Sequence, residues 1–262
     1  MTVIGELVNG MYKAVGKAIK DKDKTVIQKC AKDQARSGAT FLDVNTGPYS
    51  KNPIDDMKWL VETIQEAADT PLSIDSTKLD VVEAGLKLAK KRSMINSTNA
   101  DDEKMDAVFS LAKKYNAQVI ALTMDRSGVP NDRMRRIEMA AKIVTKAMEY
   151  DIRPEDLFID PIVLPVNVAQ SQGQEVLESI REFSHLSDPA PRTVVGLSNV
   201  SQGTKVRSLV NRTFLIMAIA NGLSAAILDP LDKELMDAMI TAELILNKNI
   251  YCDSFLDACR KR

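Results

Sequence analysis

The chain has 262 residues, 45% of them hydrophobic, and its 35 Lys plus Arg against 36 Asp plus Glu give a formal net charge of -1 at pH 7. That balance removes the electrostatic basis for a nucleic-acid or acidic-membrane partner, and the length suits one large core, since single α/β barrels reach about 250 residues. Three cysteines, Cys30, Cys252 and Cys259, form no C-x-x-C pair, which excludes a disulfide framework and leaves no zinc motif.

Short apolar runs of strand character alternate with segments of helical period. A strand is expected over residues 2–8 (TVIGELV), then a helical segment over 11–38. Residues 40–44 (TFLDV) form the second strand, followed by a loop with Gly47, Pro48 and Pro53 and a helix over 54–68. The third pair is 71–75 (PLSID) with 79–90, ending in KLAKKR (87–92), where cations favour the helix dipole. The fourth is 93–96 (SMIN) with 101–115, and the fifth 118–124 (QVIALTM) with 133–150. The sixth strand, 157–161 (LFIDP), runs into a long apolar loop, IVLPVNVAQ (162–170), before a helix over 174–185. The seventh is 193–197 with a helix over 209–221 that is apolar almost all round and so expected to be well buried. The eighth is 225–228 (AAIL) with 233–247. The tail NIYCDSFLDACRKR (249–262) is expected to pack back through Ile250, Tyr251 and Phe255.

Eight strand–helix pairs predict an α/β fold, a (β/α)8 TIM barrel forming a single domain over residues 1–262. An open doubly wound sheet is the alternative, but no G-x-G-x-x-G turn follows the first strand. The start, MTVIGELVNG, lacks the plan of a signal peptide and no apolar run could span a bilayer, so a cytoplasmic protein without membrane contact is expected.

In such a barrel the active site lies at the C-terminal strand ends. Those ends carry Glu6 and Asn9, Asp43 and Asn45, Asp75 and Ser76, Asn96 and Ser97, Thr123, Asp160, Ser198 and Asn199, and Asp229. Strand ends are often polar because loops and helix caps begin there, yet several of these residues sit inside the apolar run. TVVGLSNVSQG (193–203) is the clearest case, a β-branched run that opens abruptly into small hydrogen-bonding side chains. The single histidine, His185, lies at a helix end, which leaves His-based triads and His-built metal sites without material. Asp43, Asp75 and Asp160 could ligate a hard cation, but Asn96 and Asn199 add donors that a metal cage does not use. Paired carboxylates could hydrolyse glycosides, but one Trp offers little to stack on sugars. Carboxylates and carboxamides together can match a flat heterocycle with adjacent N–H donors and carbonyl acceptors.

FLDVNTGP (41–48), SIDST (73–77), MINSTN (94–99), FIDPIVLP (158–165) and GLSNVSQG (196–203) closely resemble the pterin-binding methyltransferase family, nearest its methyltetrahydrofolate:corrinoid/iron–sulfur protein branch. The likeness extends from IGE and NGM (4–11) to NRTF (211–214) and YCDSF (251–255). It implies a homodimeric barrel that holds the pterin of tetrahydrofolate or 5-methyltetrahydrofolate in its mouth. By motif match, Asp75, Asn96 and Asp160 would hydrogen-bond the ring, and Asp43 and Asn45 would border it. Ser198 and Asn199 would sit beside N5, with Gln202 and Arg207 contributing to the folate site. The implied reaction moves a methyl group between N5 and the cobalt of a corrinoid (cobalamin), in either direction. Asn199 is the implied catalytic residue; it does not titrate, so it would orient the N5 proton while solvent supplies it. The corrinoid-binding pattern D-x-H-x-x-G is absent, so the corrinoid would come on a separate protein, with residues 162–168 as a candidate docking rim. No metal bound by this chain is expected. TKVRSLVNR (204–212) departs from the pattern expected of acetogenic members, which leaves the pathway open. Dihydropteroate synthase is one rival, although AAILDP offers no basic residue or His for a pyrophosphate; a folate-binding subunit without turnover is another.

Overall fold

Strands and helices alternate along the chain in the computed structural model, which describes residues 1–260. The strands are β1 (Thr2–Asn9), β2 (Phe41–Asn45), β3 (Leu72–Asp75), β4 (Met94–Asn99), β5 (Gln118–Leu122), β6 (Leu157–Asp160), β7 (Arg192–Gly196) and β8 (Ala225–Leu228). All pair in parallel with their chain neighbours, and β8 pairs with β1 to close the barrel. Around it run α1 (Lys13–Asp21), α2 (Lys24–Arg36), α3 (Pro53–Gln65), α4 (Leu79–Leu88), α5 (Asp102–Tyr115), α6 (Arg133–Glu149), α7 (Gln172–Phe183), α8 (Arg207–Ala220) and α9 (Lys233–Ile245). A final helix, α10, spans Phe255–Arg260. The expected (β/α)8 barrel is therefore the fold. No helix among the described residues is long and apolar enough to cross a membrane.

Alternation along each strand builds two cores. Outward residues such as Leu42, Ile74, Ile95 and Ile159 pack against the helices. Inward residues Ile4, Phe41, Met94, Ile120, Phe158, Val194 and Ala225 form a separate cluster that floors the barrel. Two steps further along β1, β2, β4 and β6 the inward positions turn polar at Glu6, Asp43, Asn96 and Asp160, which places the site. Two irregularities lie at that level. Register shifts between Gly5 and Val8 on β1 and between Asn96 and Thr98 on β4, and bulges of this kind re-aim side chains beside functional sites. The freed Leu7 N–H donates to Gln34 Oε1 of α2 at 3.0 Å, so the β1 irregularity leaves no orphan donor there.

Three expectations are corrected. The helical segment over 11–38 is two helices, broken where Lys22 takes φ 54° and the Asp23 side chain accepts from Thr25 N. The charged run KDKDK has no apolar face to carry the helix through. α8 is not buried all round: Phe214, Leu215, Ala218 and Ile219 face the core, while Leu209, Ile216 and Met217 are exposed. The outer ring covers only the barrel side and the two flanks of such a helix. In the tail, Phe255, Leu256 and Cys259 pack on the core, but Ile250 and Tyr251 are exposed because they precede α10. The tail's last two positions, 261 and 262, lie outside the described residues.

Phe158 is fully buried in the floor, with the Arg192 guanidinium 5.4 Å from its ring centroid. Phe158→Ala is expected to destabilise the chain by about 3–5 kcal/mol through the cavity it leaves, measured by urea denaturation.

Candidate functional site

Above the apolar floor the inward positions are Glu6, Asp43, Asn45, Ser73, Asp75, Asn96, Asp160 and, just beyond β8, Asp229. Strand period alone sets this: each residue follows a floor or inward residue by an even step. β2, β3 and β4 are neighbours, so their polar side chains meet. Asp43 Oδ1 accepts from Ser73 Oγ at 2.7 Å and from Asn96 Nδ2 at 3.1 Å. Asn45 Nδ2 donates to Asp75 Oδ2 at 2.6 Å, while Asn45 Oδ1 accepts from Gly47 N at 2.7 Å.

Burial raises the pKa of Asp43 well above the ordinary carboxylate range, and the nearby charge of Asp75 adds to the effect. Burial also raises Asp75, offset by hydrogen bonds from Asn45 and Asp43. Two carboxyls this close in a dry barrel oppose a double negative charge, which pushes the pair's titration upward. Asp43 and Asn45 are thus committed to partners inside the barrel and brace Asp75 and Asn96. That leaves Asp75 Oδ1 and Asn96 Oδ1 without a side-chain partner among the described residues. They form an acceptor edge on one side of the mouth.

Asp160 stands on β6. It is buried, and burial lifts its pKa to about 7 against a hydrogen bond from Ile162 N and the charge of Arg136. The Ile162 N–H reaches Asp160 Oδ1 at 2.7 Å, so Asp160 Oδ2 is the free acceptor. Ile162 has φ 64°, a left-handed conformation that costs a β-branched residue roughly 1–2 kcal/mol.

The β7–β8–β1 side is built differently. Residues Leu197–Asn199 form a 3-10 turn directly after β7, where a strand end was expected. Ser198 Oγ donates to Glu6 Oε1 at 2.7 Å. Burial raises the pKa of Glu6, the Ser198 bond offsets this, and the charge of Asp229 raises it further. Arg207, the first residue of α8, donates to Ser201 Oγ at 3.1 Å and to Ser198 O at 3.2 Å, and so fastens the turn. Asn199 makes no side-chain hydrogen bond among the described residues. A Cβ at Gly196 would lie 3.0 Å from Asn199 Nδ2, so glycine at this inward position leaves space that the Asn199 carboxamide occupies. Gln202 is exposed, apart from the buried ring.

The barrel therefore gathers Asp43, Asn45, Asp75, Asn96 and Asp160 at its C-terminal end, with Ser198, Asn199 and Arg207 on the turn and helix that follow β7. The loop 162–168 crosses toward that turn, where Val166 N donates to Val200 O at 2.9 Å. Its Val163 is buried and its Val168 exposed. Three contributors were not read from the sequence. Ser73 is a small inward residue below a recognised tip. Glu6 stood at a strand end, but nothing in its neighbourhood pointed to Ser198. Arg136 did leave a signal, because with Met139, Ala140 and Ile143 it falls on the buried face of α6. Among the described residues no group of three or more His, Cys, Asp or Glu could hold a metal ion.

The profile of a family described as pterin binding enzyme matches residues 13–229. Over 266 residues, covering 100% of this chain and 97% of the relative, the chain is 31% identical to the methylcorrinoid:tetrahydrofolate methyltransferase of Eubacterium limosum. It is also 31% identical over 215 residues to the methionine synthase of Mycobacterium leprae (strain TN), covering 76% of this chain and 18% of that protein. Among solved structures, a dihydropteroate synthase from Coxiella burnetii superposes with TM-score 0.71 at 15% identity, covering 95% of this chain and 94% of that one. One from Yersinia pestis gives 0.67 at 18% identity, covering 94% of each. At such identities the structural likeness establishes the fold alone.

A carboxyl whose pKa is raised by burial favours the folded state at low pH. For Asp160 that contribution is fully present below 3.8 and is lost as pH rises through about 7. Asp160→Asn keeps an oxygen for Ile162 N–H and removes the titration. Relative to the unsubstituted chain, the variant is expected to gain roughly 1–3 kcal/mol of stability between pH 4 and pH 8. Urea denaturation at both pH values checks this, and equal differences at the two would count against a desolvated Asp160.

Proposed function

The chain belongs to the pterin-binding enzyme family, and on that premise we propose that it transfers a methyl group between N5 of tetrahydrofolate and the cobalt of a corrinoid carried by a separate protein. The observation that carries this reading is the free acceptor edge of Asp75, Asn96 and Asp160 facing an uncommitted Asn199 across the barrel mouth. A pterin presents adjacent N–H groups along one edge, which carboxylates accept well. With that edge against β3, β4 and β6, N5 faces the turn after β7. The whole chain acts as one pterin-binding barrel. We assign the direction in the name of the full-length relative, from methylcorrinoid to tetrahydrofolate.

In that direction the N5 lone pair forms the bond to the methyl carbon. The carbon–cobalt bond breaks with its electron pair left on cobalt, and N5 then gives up its proton. Running backwards, N5 must gain that proton before it can leave. The transition state shared by both directions carries partial positive charge on N5–H, and a hydrogen bond to Asn199 Oδ1 stabilises it. Asn199 does not titrate, so the proton exchanges with solvent at the open mouth. Ser198 and Arg207 hold the turn, Glu6 anchors Ser198, and Gln202 lies where the rest of the folate would pass. The partner docks over the mouth, with the exposed Val168 of loop 162–168 on its rim. The exposed apolar side of α8, with Leu209, Ile216 and Met217, is the surface we assign to a homodimer.

Asn199→Ala is expected to lower methyl transfer by about 100-fold or more while changing tetrahydrofolate affinity only a few-fold. Asp75→Ala should do the reverse and lose affinity first. Stopped-flow spectroscopy of the corrinoid, paired with calorimetric folate binding, separates the two effects. Equal losses of transfer and affinity in Asn199→Ala would remove its assigned role.

A further inference from the structure

Arg136 is the largest fully buried side chain in the molecule, on α6 behind the barrel wall. Its Nε donates to Pro161 O at 2.8 Å and its Nη2 to Gln172 Oε1 at 2.7 Å. Gln172 Nε2 in turn donates to Asn131 O at 2.7 Å, and Arg136 Nη1 has no protein acceptor. A buried guanidinium left partly unpaired is costly, so its presence behind this particular strand calls for a cause.

The cause lies in one peptide unit. The carbonyl of Pro161 and the N–H of Ile162 belong to the same planar group. Arg136 holds the carbonyl end, and the N–H end holds Asp160 Oδ1 at 2.7 Å. The same peptide leads into Ile162, whose left-handed backbone persists only where its surroundings over-determine it. We propose that Arg136 is a positioning residue for Asp160: it clamps the Pro161–Ile162 peptide from behind, and that peptide aims and polarises the N–H on which the Asp160 carboxylate rests. The proposal rests on the reading of Asp160 as a pterin acceptor, and adds how a carboxyl in so dry a place is oriented and helped to ionise. Among the described residues Arg136 is the charged group that acts on Asp160, while Arg136 itself faces Glu175, Asp132 and Asp160. A charge-assisted donor on the carbonyl strengthens the N–H at the other end of the peptide.

The test uses the full chain carrying Arg136→Gln, Arg136→Lys or Gln172→Leu, each checked for folding by circular dichroism. Carbon-13 NMR of the ligand-free protein follows the Asp160 carboxyl, assigned by its loss in Asp160→Asn. Removing the charge in Arg136→Gln should move the Asp160 midpoint up by about half a unit or more, and Arg136→Lys by less. Amide exchange at Ile162 should speed up about tenfold or more in Gln172→Leu and Arg136→Lys. A folded Arg136→Gln with an unmoved or lowered midpoint overturns the proposal. If Arg136→Gln does not fold, unchanged Ile162 exchange in the other two variants overturns it equally. Tetrahydrofolate affinity of Arg136→Lys should fall by up to about twofold at pH 7 and recover toward pH 9, where Asp160 ionises regardless. Failure of the unsubstituted chain to bind folate would count against the proposed function alone, because titration and exchange are read without ligand.

Discussion

Desolvation of carboxyl groups inside a closed parallel barrel is the constraint on which this structure turns. The apolar floor of Ile4, Phe41, Ile120 and Phe158 seals one end, so every inward side chain above it has left water on one side. Charge there is expensive unless donors reach it. The molecule answers with three different arrangements. Asp43 accepts from both Ser73 and Asn96 at one oxygen. Asp75 takes a carboxamide donor from Asn45. Asp160 takes a backbone N–H with a buried cation behind it. Asp75 and Asp160 each keep an acceptor for the mouth, while Asp43 is committed inside the barrel.

This division has a chemical consequence. The acceptors are held before any ligand arrives, so a flat ring with matching N–H groups meets a preorganised edge. The turn after β7 is arranged differently. Gly196 withholds a side chain, and Asn199 fills the space without a partner of its own. A rigid binding edge facing an uncommitted polar side chain is the arrangement that differential stabilisation requires. On the proposed reading β3, β4 and β6 bind the ring, while Asn199 responds to charge that develops later.

Much of this was legible in the residues because period two is strict in a barrel. Once β2 was read as FLDV, Asp43 had to share a face with Phe41, and Asp160 with Phe158. The strand ends were found to within a few residues, and β8 at both bounds. What stayed hidden depended on contacts distant in sequence. Ser198 meets Glu6 across 192 positions, and no local pattern encodes that pairing. Arg136 was concealed by its own type, since Arg within RMRRIEM reads as a solvated face until its spacing to Met139 and Ile143 is weighed. α8 misled in the opposite sense: its composition is that of a buried helix, yet Leu209, Ile216 and Met217 on its outer side are exposed. Roles were another matter. That Asn199 should act at N5 came from family resemblance, and geometry adds only that its carboxamide is placed and free to do so.

The most direct test is the reaction itself with the unsubstituted chain. Tetrahydrofolate and a methylcorrinoid, free or on a carrier protein, would be mixed anaerobically with catalytic amounts of the chain. Corrinoid absorbance would be followed together with chromatographic detection of 5-methyltetrahydrofolate. The account predicts demethylation of the corrinoid matched mole for mole by methylated folate, and the reverse exchange from 5-methyltetrahydrofolate and reduced corrinoid. A chain that binds folate yet moves no methyl group in either direction with either form of corrinoid, or that instead condenses a pterin pyrophosphate with p-aminobenzoate, would contradict it.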